Sequence, residues 1–208
     1  MMKRWLWLLL LMMLMGCATP QPDEPLLFAD DFSDPQSGWS VWVGEDAFAA
    51  YLDGGLRLFN KRAGYDIWSL TGRMDGDVII SAAATVMGGP LDNRLGLICR
   101  YQDPENYYAF LISSDGYAGI LRLQAGQLSI LSAPTLEYTP LIETGWVTNR
   151  IQADCVGERL TLWVNGQVVA EAHDASFSVG DVGVWVGSAQ QGGVDVLFDD
   201  FLLLRGGG

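Results

Sequence analysis

Between Leu95 and Gln124 the chain admits few readings. Leu95, Leu97, Cys99 and Tyr101 alternate with Gly96, Ile98, Arg100 and Gln102, the two-residue period of a strand with two different faces. The run stops at Asp103-Pro104-Glu105-Asn106, where Pro fixes φ and the Asp and Asn side chains supply local hydrogen bonds for a turn. Tyr107–Ser113 is a second run, rich in aromatic and branched side chains. Ser114-Asp115-Gly116 is a hairpin signal, and Tyr117–Leu123 returns. Three consecutive antiparallel strands need a second layer against which to bury one face.

The flanking sequence supplies that layer. Strand-like runs are expected at Leu26–Phe32, Ser40–Val43, Ala47–Leu52, Leu56–Asn60, Asp66–Leu70 and Val78–Val86 on one side. On the other they fall at Leu128–Leu131, Thr148–Val156, Arg159–Val164, Val168–His173, Val182–Gly187 and Val194–Leu204. Turn signals such as Asp53-Gly54-Gly55, Asp75-Gly76, Asn165-Gly166 and Gly192-Gly193 separate them. No segment of helical length carries a 3.6-residue period, and no fixed repeat suggests a propeller or solenoid. The fold class is therefore all-β, a sandwich or barrel of short antiparallel strands.

The first residues stand apart. Lys3 and Arg4 precede an uninterrupted apolar run, Trp5–Met15, too short for a membrane span, which needs ~20 residues in helix. This is the shape of a signal peptide, and it would also serve a non-lipidated secretory signal or a short uncleaved anchor. Its end, Leu14-Met15-Gly16-Cys17, resembles the lipobox of bacterial lipoproteins. That resemblance implies cleavage after residue 16, diacylglyceryl on Cys17, and palmitate-type acylation anchoring the protein to the membrane of the cell envelope. Residues 17–25 then form a proline-rich tether, 26–204 the folded domain and 205–208 a tail. Removing Lys3 and Arg4 leaves ten basic side chains against 25 acidic ones, a charge of −15. Such a surface excludes nucleic acid, whose phosphates need Lys and Arg, and docking by charge on anionic lipid.

Four segments, ADDFSDPQSGW, LGLICRYQDPENYYAFLISSDGYAGI, RLTLWVNGQVVAE and VLFDDFLLL, carry a second resemblance. Together they are similar to the concanavalin A-like lectin/glucanase domains of bacterial surface lipoproteins, including the 3-keto-disaccharide hydrolase-like group. The resemblance implies a jelly-roll sandwich of two curved antiparallel sheets with the first and last strands side by side. Its glucanase branch uses alternating carboxylates on one strand, and no such glutamate run exists here. Asp195 and Asp199 are the nearest approach, in the last strand, where the resemblance implies a structural role. The single His173, at a strand end beside Asp174, reads as a solvated turn residue, the alternative being a triad with one of the many serines.

Aromatic residues are the better guide to a ligand. In Leu160–Val164 the leucines and valine share one face, so Trp163 points to the other. If Leu95, Leu97 and Cys99 face the core, Arg100 faces outward. Trp163 and Arg100, with Tyr108 from the next run, are the candidate ligand-binding residues: a plane for a sugar ring and a charged fork for its hydroxyls; the alternative is an outer face covered by the sandwich's long loops. Asp30-Asp31 and Asp199-Asp200 fall on strands that the resemblance places together, so Asp31 and Asp199 are candidate ligands of a structural calcium; the alternative is acids facing water on an edge. Cys99 and Cys155 each end an inward-facing set, and export leaves them an even pair once Cys17 is lipidated; a disulfide is expected, the alternative being two buried thiols. The expected function is a monomeric, lipid-anchored surface protein that binds glycan or another envelope component. A hydrolase of the keto-disaccharide type and a scaffold without small ligand are the other readings.

Overall fold

The computed structural model describes residues 25–207, and no helix occurs among them. Sixteen strands form two antiparallel sheets, fifteen of them close to the runs the alternation marks. The nine-stranded sheet contains β1 (Leu26–Asp30), β2 (Trp42–Val43), β3 (Ala47–Leu52), β4 (Gly55–Asn60), β6 (Val78–Gly88), β12 (Thr148–Val156), β13 (Arg159–Val164), β14 (Gln167–His173) and β16 (Val194–Arg205). The seven-stranded sheet contains β5 (Asp66–Leu70), β7 (Asn93–Asp103), β8 (Asn106–Ile112), β9 (Tyr117–Gln124), β10 (Gln127–Ile130), β11 (Glu137–Tyr138) and β15 (Asp181–Ser188). The two-residue β11 is the one strand that no expected run covers. First and last strands pair, with Leu26 opposite Leu204 and Asp30 opposite Phe201. The architecture is a jelly-roll β-sandwich.

Side-chain alternation explains the layers. Leu95, Leu97, Cys99, Tyr108, Phe110, Ile112, Val182, Val184 and Val186 face inward from the smaller sheet. They meet Ile80, Ala82, Ile151, Ala153, Leu160, Leu162, Val196 and Phe198 from the larger one. A chain with two such striped sheets removes most of its apolar area from water only by stacking them. Cys99 and Cys155 meet between the sheets as a disulfide, with Cα atoms 6.8 Å apart, so β7 is stapled to β12 across the core. Paired strands elsewhere are held by backbone ladders within a sheet; this bond is covalent between sheets.

Among the bulges that interrupt the ladders, two place a charged residue at positive φ. On β7, Tyr101 pairs with Asp181 and Ile98 with Gly183, so one extra residue is inserted opposite β15. Arg100 takes φ of 51°, rare for a side chain with a Cβ. On β16, Asp200 does the same with φ of 50°, between Asp199 opposite Ala83 and Leu202 opposite Ser81. Asp199 and Asp200 therefore both stay on the solvent side while Phe198 and Phe201 are buried.

Candidate functional site

The residues singled out by the sequence do not come together. Arg100 is the clearest correction: it does not face outward but is 1% exposed. The extra residue of the bulge turns it inward beside Cys99, where its guanidinium donates to Phe177 O at 2.8 Å, Asp77 Oδ1 at 3.0 Å and Cys155 O at 3.3 Å. It ties β7 to the opposite sheet and offers nothing to a ligand. Tyr108 is also in the core, fully buried, its hydroxyl donating to Asp174 Oδ1 at 2.5 Å. Trp163 does face outward, as expected, but from the nine-stranded sheet; its Nε1 donates to Asp154 Oδ2 at 2.8 Å. No pair of these three residues shares a surface.

The acids are engaged separately. Asp31 accepts from Ser33 N at 3.0 Å and Ser33 Oγ at 2.6 Å, and these hydrogen bonds hold its carboxyl below the ordinary range. Asp199 Oδ1 accepts from Asp200 N, and Asp200 pairs with Arg150 at 2.8 Å. Among the described residues no three His, Cys, Asp or Glu side chains group as a metal site. A depression of about 520 Å³ lies beside the Asp200 bulge, lined by Asp30, Asp31, Arg150 and Asp200. Its acids already have partners, since Asp30 accepts from Trp39 Nε1 at 2.9 Å and Phe32 N at 2.8 Å. The lipidation residue Cys17 lies outside the described residues.

The outer face of the seven-stranded sheet is different. Its outward residues form a second apolar cluster: Ile98, Tyr107, Ala109, Leu111, Leu121 and Trp185, bordered by half-buried Trp68, Leu70, Tyr101, Leu123, Ile130 and Leu136. Register brings them side by side, because Trp185 pairs with both Trp68 and Gly96, and Gly96 with Leu111. The rings of Trp68, Tyr101 and Tyr107 form a triangle with centroids 5.7–6.0 Å apart. One row further along, Gly187 pairs with both Asp66 and Arg94, so these two charged side chains flank a glycine on the same face. A Cβ on residue 187 would come within 2.2 Å of Asp66 Oδ1 and 3.1 Å of Arg94 Nε; only glycine leaves room for them to meet.

Here the polar chemistry is incomplete. Arg94 Nη2 lies 2.8 Å from Asp66 Oδ1, but its N–H is directed to Ser188 O at 2.7 Å. The charges are adjacent without an aligned hydrogen bond. Asp66 Oδ1, Arg94 Nε and Trp185 Nε1 are all buried without a partner, three of the four such side-chain atoms among the described residues. Arg94 also lies over the Trp185 ring, 5.7 Å from its centroid. Burial pushes the Asp66 carboxyl above its ordinary range, with Arg94 pulling it partly back. Burial, then the Asp66 and Tyr101 charges, push the Tyr107 hydroxyl up as well, with Arg94 opposing. A buried donor or acceptor without a partner costs about 1–3 kcal/mol. Trp185 is itself buried, so of the three groups only the half-buried Asp66 and Arg94 side chains reach the surface, where their hydrogen-bonding capacity is not used up within the fold. Beside them a depression of about 400 Å³ is lined by Asp92, Asn93, Arg94, Ser113, Asp115 and Tyr117.

Sequence reasoning held the signals for this face without joining them. Asp66, Trp68 and Leu70 alternate with Ile67 and Ser69, and Trp185 sits between Gly183 and Gly187 opposite a valine stripe. What unites them is the register of β5 against β15 and β7, which no local pattern encodes.

No family profile matches this chain, and no curated protein matches it. Solved structures do share its fold. One is the carbohydrate-binding module CBM66 from Bacillus subtilis, 19% identical, aligned over 81% of this chain and 96% of that one with a TM-score of 0.63. A protein of unknown function with a galectin-like fold, also from Bacillus subtilis, is 11% identical over 88% of this chain and 97% of its own, TM-score 0.64. The GH43 protein BlXynB from Bacillus licheniformis is 14% identical over 85% of this chain but 39% of its own, TM-score 0.65. At these identities the likeness is one of fold.

Proposed function

We propose that this chain is a glycan-binding module held on the extracytoplasmic side of a bacterial envelope by lipid on Cys17. The observation that carries the reading is the outer face of the seven-stranded sheet, where the half-buried Trp68 and Tyr101 rings share a face with the half-buried Asp66–Arg94 pair, whose charges meet without an aligned hydrogen bond. A sugar presents an apolar ring face and a rim of hydroxyls, and this surface offers the complement of both. The fold shared with a carbohydrate-binding module supports the same reading. So does the position of the tether. Leu26 pairs with Leu204 and Val78 with Arg205, at the end of the sandwich opposite Gly88, Asn93 and Ser188. A module anchored through residues 17–25 would present the Asp66–Arg94 end away from the membrane.

Screening the purified protein on an array of neutral, acidic and amino glycans tests this. Binding is expected to neutral glycans and to be lost in Arg94→Ala with the fold intact. Running the array with and without Ca²⁺ asks whether Asp31 and Asp199 serve a bound calcium. Turnover of a keto-disaccharide would shift the assignment to the hydrolase reading, and no glycan binding at all would overturn it. Intact-mass measurement of membrane-extracted protein should show acyl chains on Cys17 that Cys17→Ser abolishes.

A further inference from the structure

Trp146 is 63% exposed and Leu91 43%, at the same end of the sandwich as Asn93 and Arg94. An exposed indole is normally free to sample rotamers, but this one is held: its Nε1 donates to Gly89 O at 3.1 Å. The ring's one polar group is spent on the backbone, leaving its apolar face to solvent. Gly89, Pro90, Leu91 and Gly145 complete an apolar depression of about 460 Å³ around it.

The same loop carries the ligand face. Residues 89–92 join β6 to β7, and the next two are Asn93 and Arg94. Asn93, 1% exposed, locks the two surfaces into one frame. Its Nδ2 donates to Pro90 O and to Ser114 Oγ, each at 2.8 Å, and its Oδ1 accepts from Ser114 N at 3.0 Å. Ser114 O accepts in turn from Gly145 N at 2.9 Å, the residue before Trp146. The Trp146 surface and the Arg94 surface are thus fixed to each other through one buried amide. Asp92 and Asp115 line the depression that Arg94 borders, and Asp92 follows Leu91 of the Trp146 depression, so the surface beside both is acidic.

We infer that Trp146 is a second ring-stacking platform of one extended surface, and that the ligand is a neutral oligosaccharide spanning from the Asp66–Arg94 pair to Trp146. The inference rests on the glycan-binding reading. An apolar ring face pinned by its own N–H suits the CH face of a pyranose or furanose. Asp92 and Asp115 accept hydrogen bonds from sugar hydroxyls and repel uronates and sulfated sugars. Fixing two platforms on one rigid frame lowers the ordering cost of binding a chain of rings.

The test compares mono- through hexasaccharides of neutral glucan, xylan and fructan series by calorimetric titration of the protein. Affinity should rise with chain length in wild type. Trp146→Ala should lower affinity for the longer members about tenfold and leave the monosaccharide of the same series unchanged, whereas Arg94→Ala should remove both. Trp146 is solvent-exposed, so its variant should keep the wild-type melting temperature. Equal affinity for short and long members, or a Trp146→Ala variant indistinguishable from wild type on all of them, would overturn the extended surface while leaving glycan binding standing. Tighter binding of uronate-containing oligosaccharides would overturn the neutral class. A wild-type protein that binds none of the series would bring down the extended surface together with the reading beneath it.

Discussion

Asp66 and Arg94 approach to 2.8 Å over Gly187, yet Asp66 Oδ1 and Arg94 Nε remain without hydrogen-bond partners. A pair kept only for stability would be expected to close its hydrogen bonds, because an unpartnered buried atom costs more than a surface ion pair returns. The arrangement makes sense if a ligand completes it.

Asp66→Asn separates stability from function at this pair. The Asp66 carboxyl is raised by burial, so its ionisation opposes folding. That penalty is absent below the ordinary carboxyl value of 3.8 and is established as pH rises through the higher folded value. The variant should therefore be at least as stable as wild type at neutral pH, with the wild type gaining on it as the pH is lowered toward 3.8. Glycan affinity should fall at least tenfold. Gly187→Ala should have the same binding phenotype, because the new Cβ displaces Asp66. Thermal melts at two pH values with parallel titrations check both; a variant that is less stable but binds normally would mean a structural pair.

Reduction of Cys99–Cys155 should destabilise the domain markedly. The bridge closes a loop with a sequence separation of 56. Loop-closure entropy assigns roughly 4 kcal/mol to a loop of that size. For a domain of this length that lowers Tm by roughly 8–16 °C. Scanning calorimetry with and without reductant, after denaturation to expose the buried sulfurs, measures it; an unchanged Tm in fully reduced protein would contradict the staple.

Asp174 should contribute acid sensitivity. Burial pushes its carboxyl up, but hydrogen bonds from Tyr108 and Ser176 and the charge of Arg122 outweigh this and hold it below 3.8. Its stabilisation is therefore present above that value and lost as pH falls through the lower folded one. Asp174→Asn should cost about 2 kcal/mol at pH 7, the range of hydrogen bonds to charged groups. The difference from wild type should vanish under strongly acidic conditions; a pH-independent difference in urea midpoints would place the effect in packing instead.

How much of this was legible in the sequence depends on the distance over which the information acts. Strict alternation in Leu95–Cys99 and Ile151–Cys155 placed both cysteines on inner faces, and the disulfide follows. The same alternation carried one residue too far and put Arg100 outside, since nothing local announces a bulge at an arginine with positive φ. Trp163 was oriented correctly, but a single strand does not say which sheet it joins. The Asp66, Arg94 and Trp185 group comes from three strands far apart in sequence, united by register alone.

The most direct measurement is a proton–nitrogen correlation spectrum of the tryptophan indoles, recorded as a neutral oligosaccharide is added. Trp185 Nε1 has no partner in the free protein, whereas Trp163 Nε1 is bonded to Asp154 on the other sheet. The indole N–H signals of Trp68 and Trp185 should shift with saturable dependence on ligand, and that of Trp163 should stay in place. Shifts confined to Trp163, with Trp68 and Trp185 unmoved, would place the ligand on the nine-stranded sheet and contradict the account.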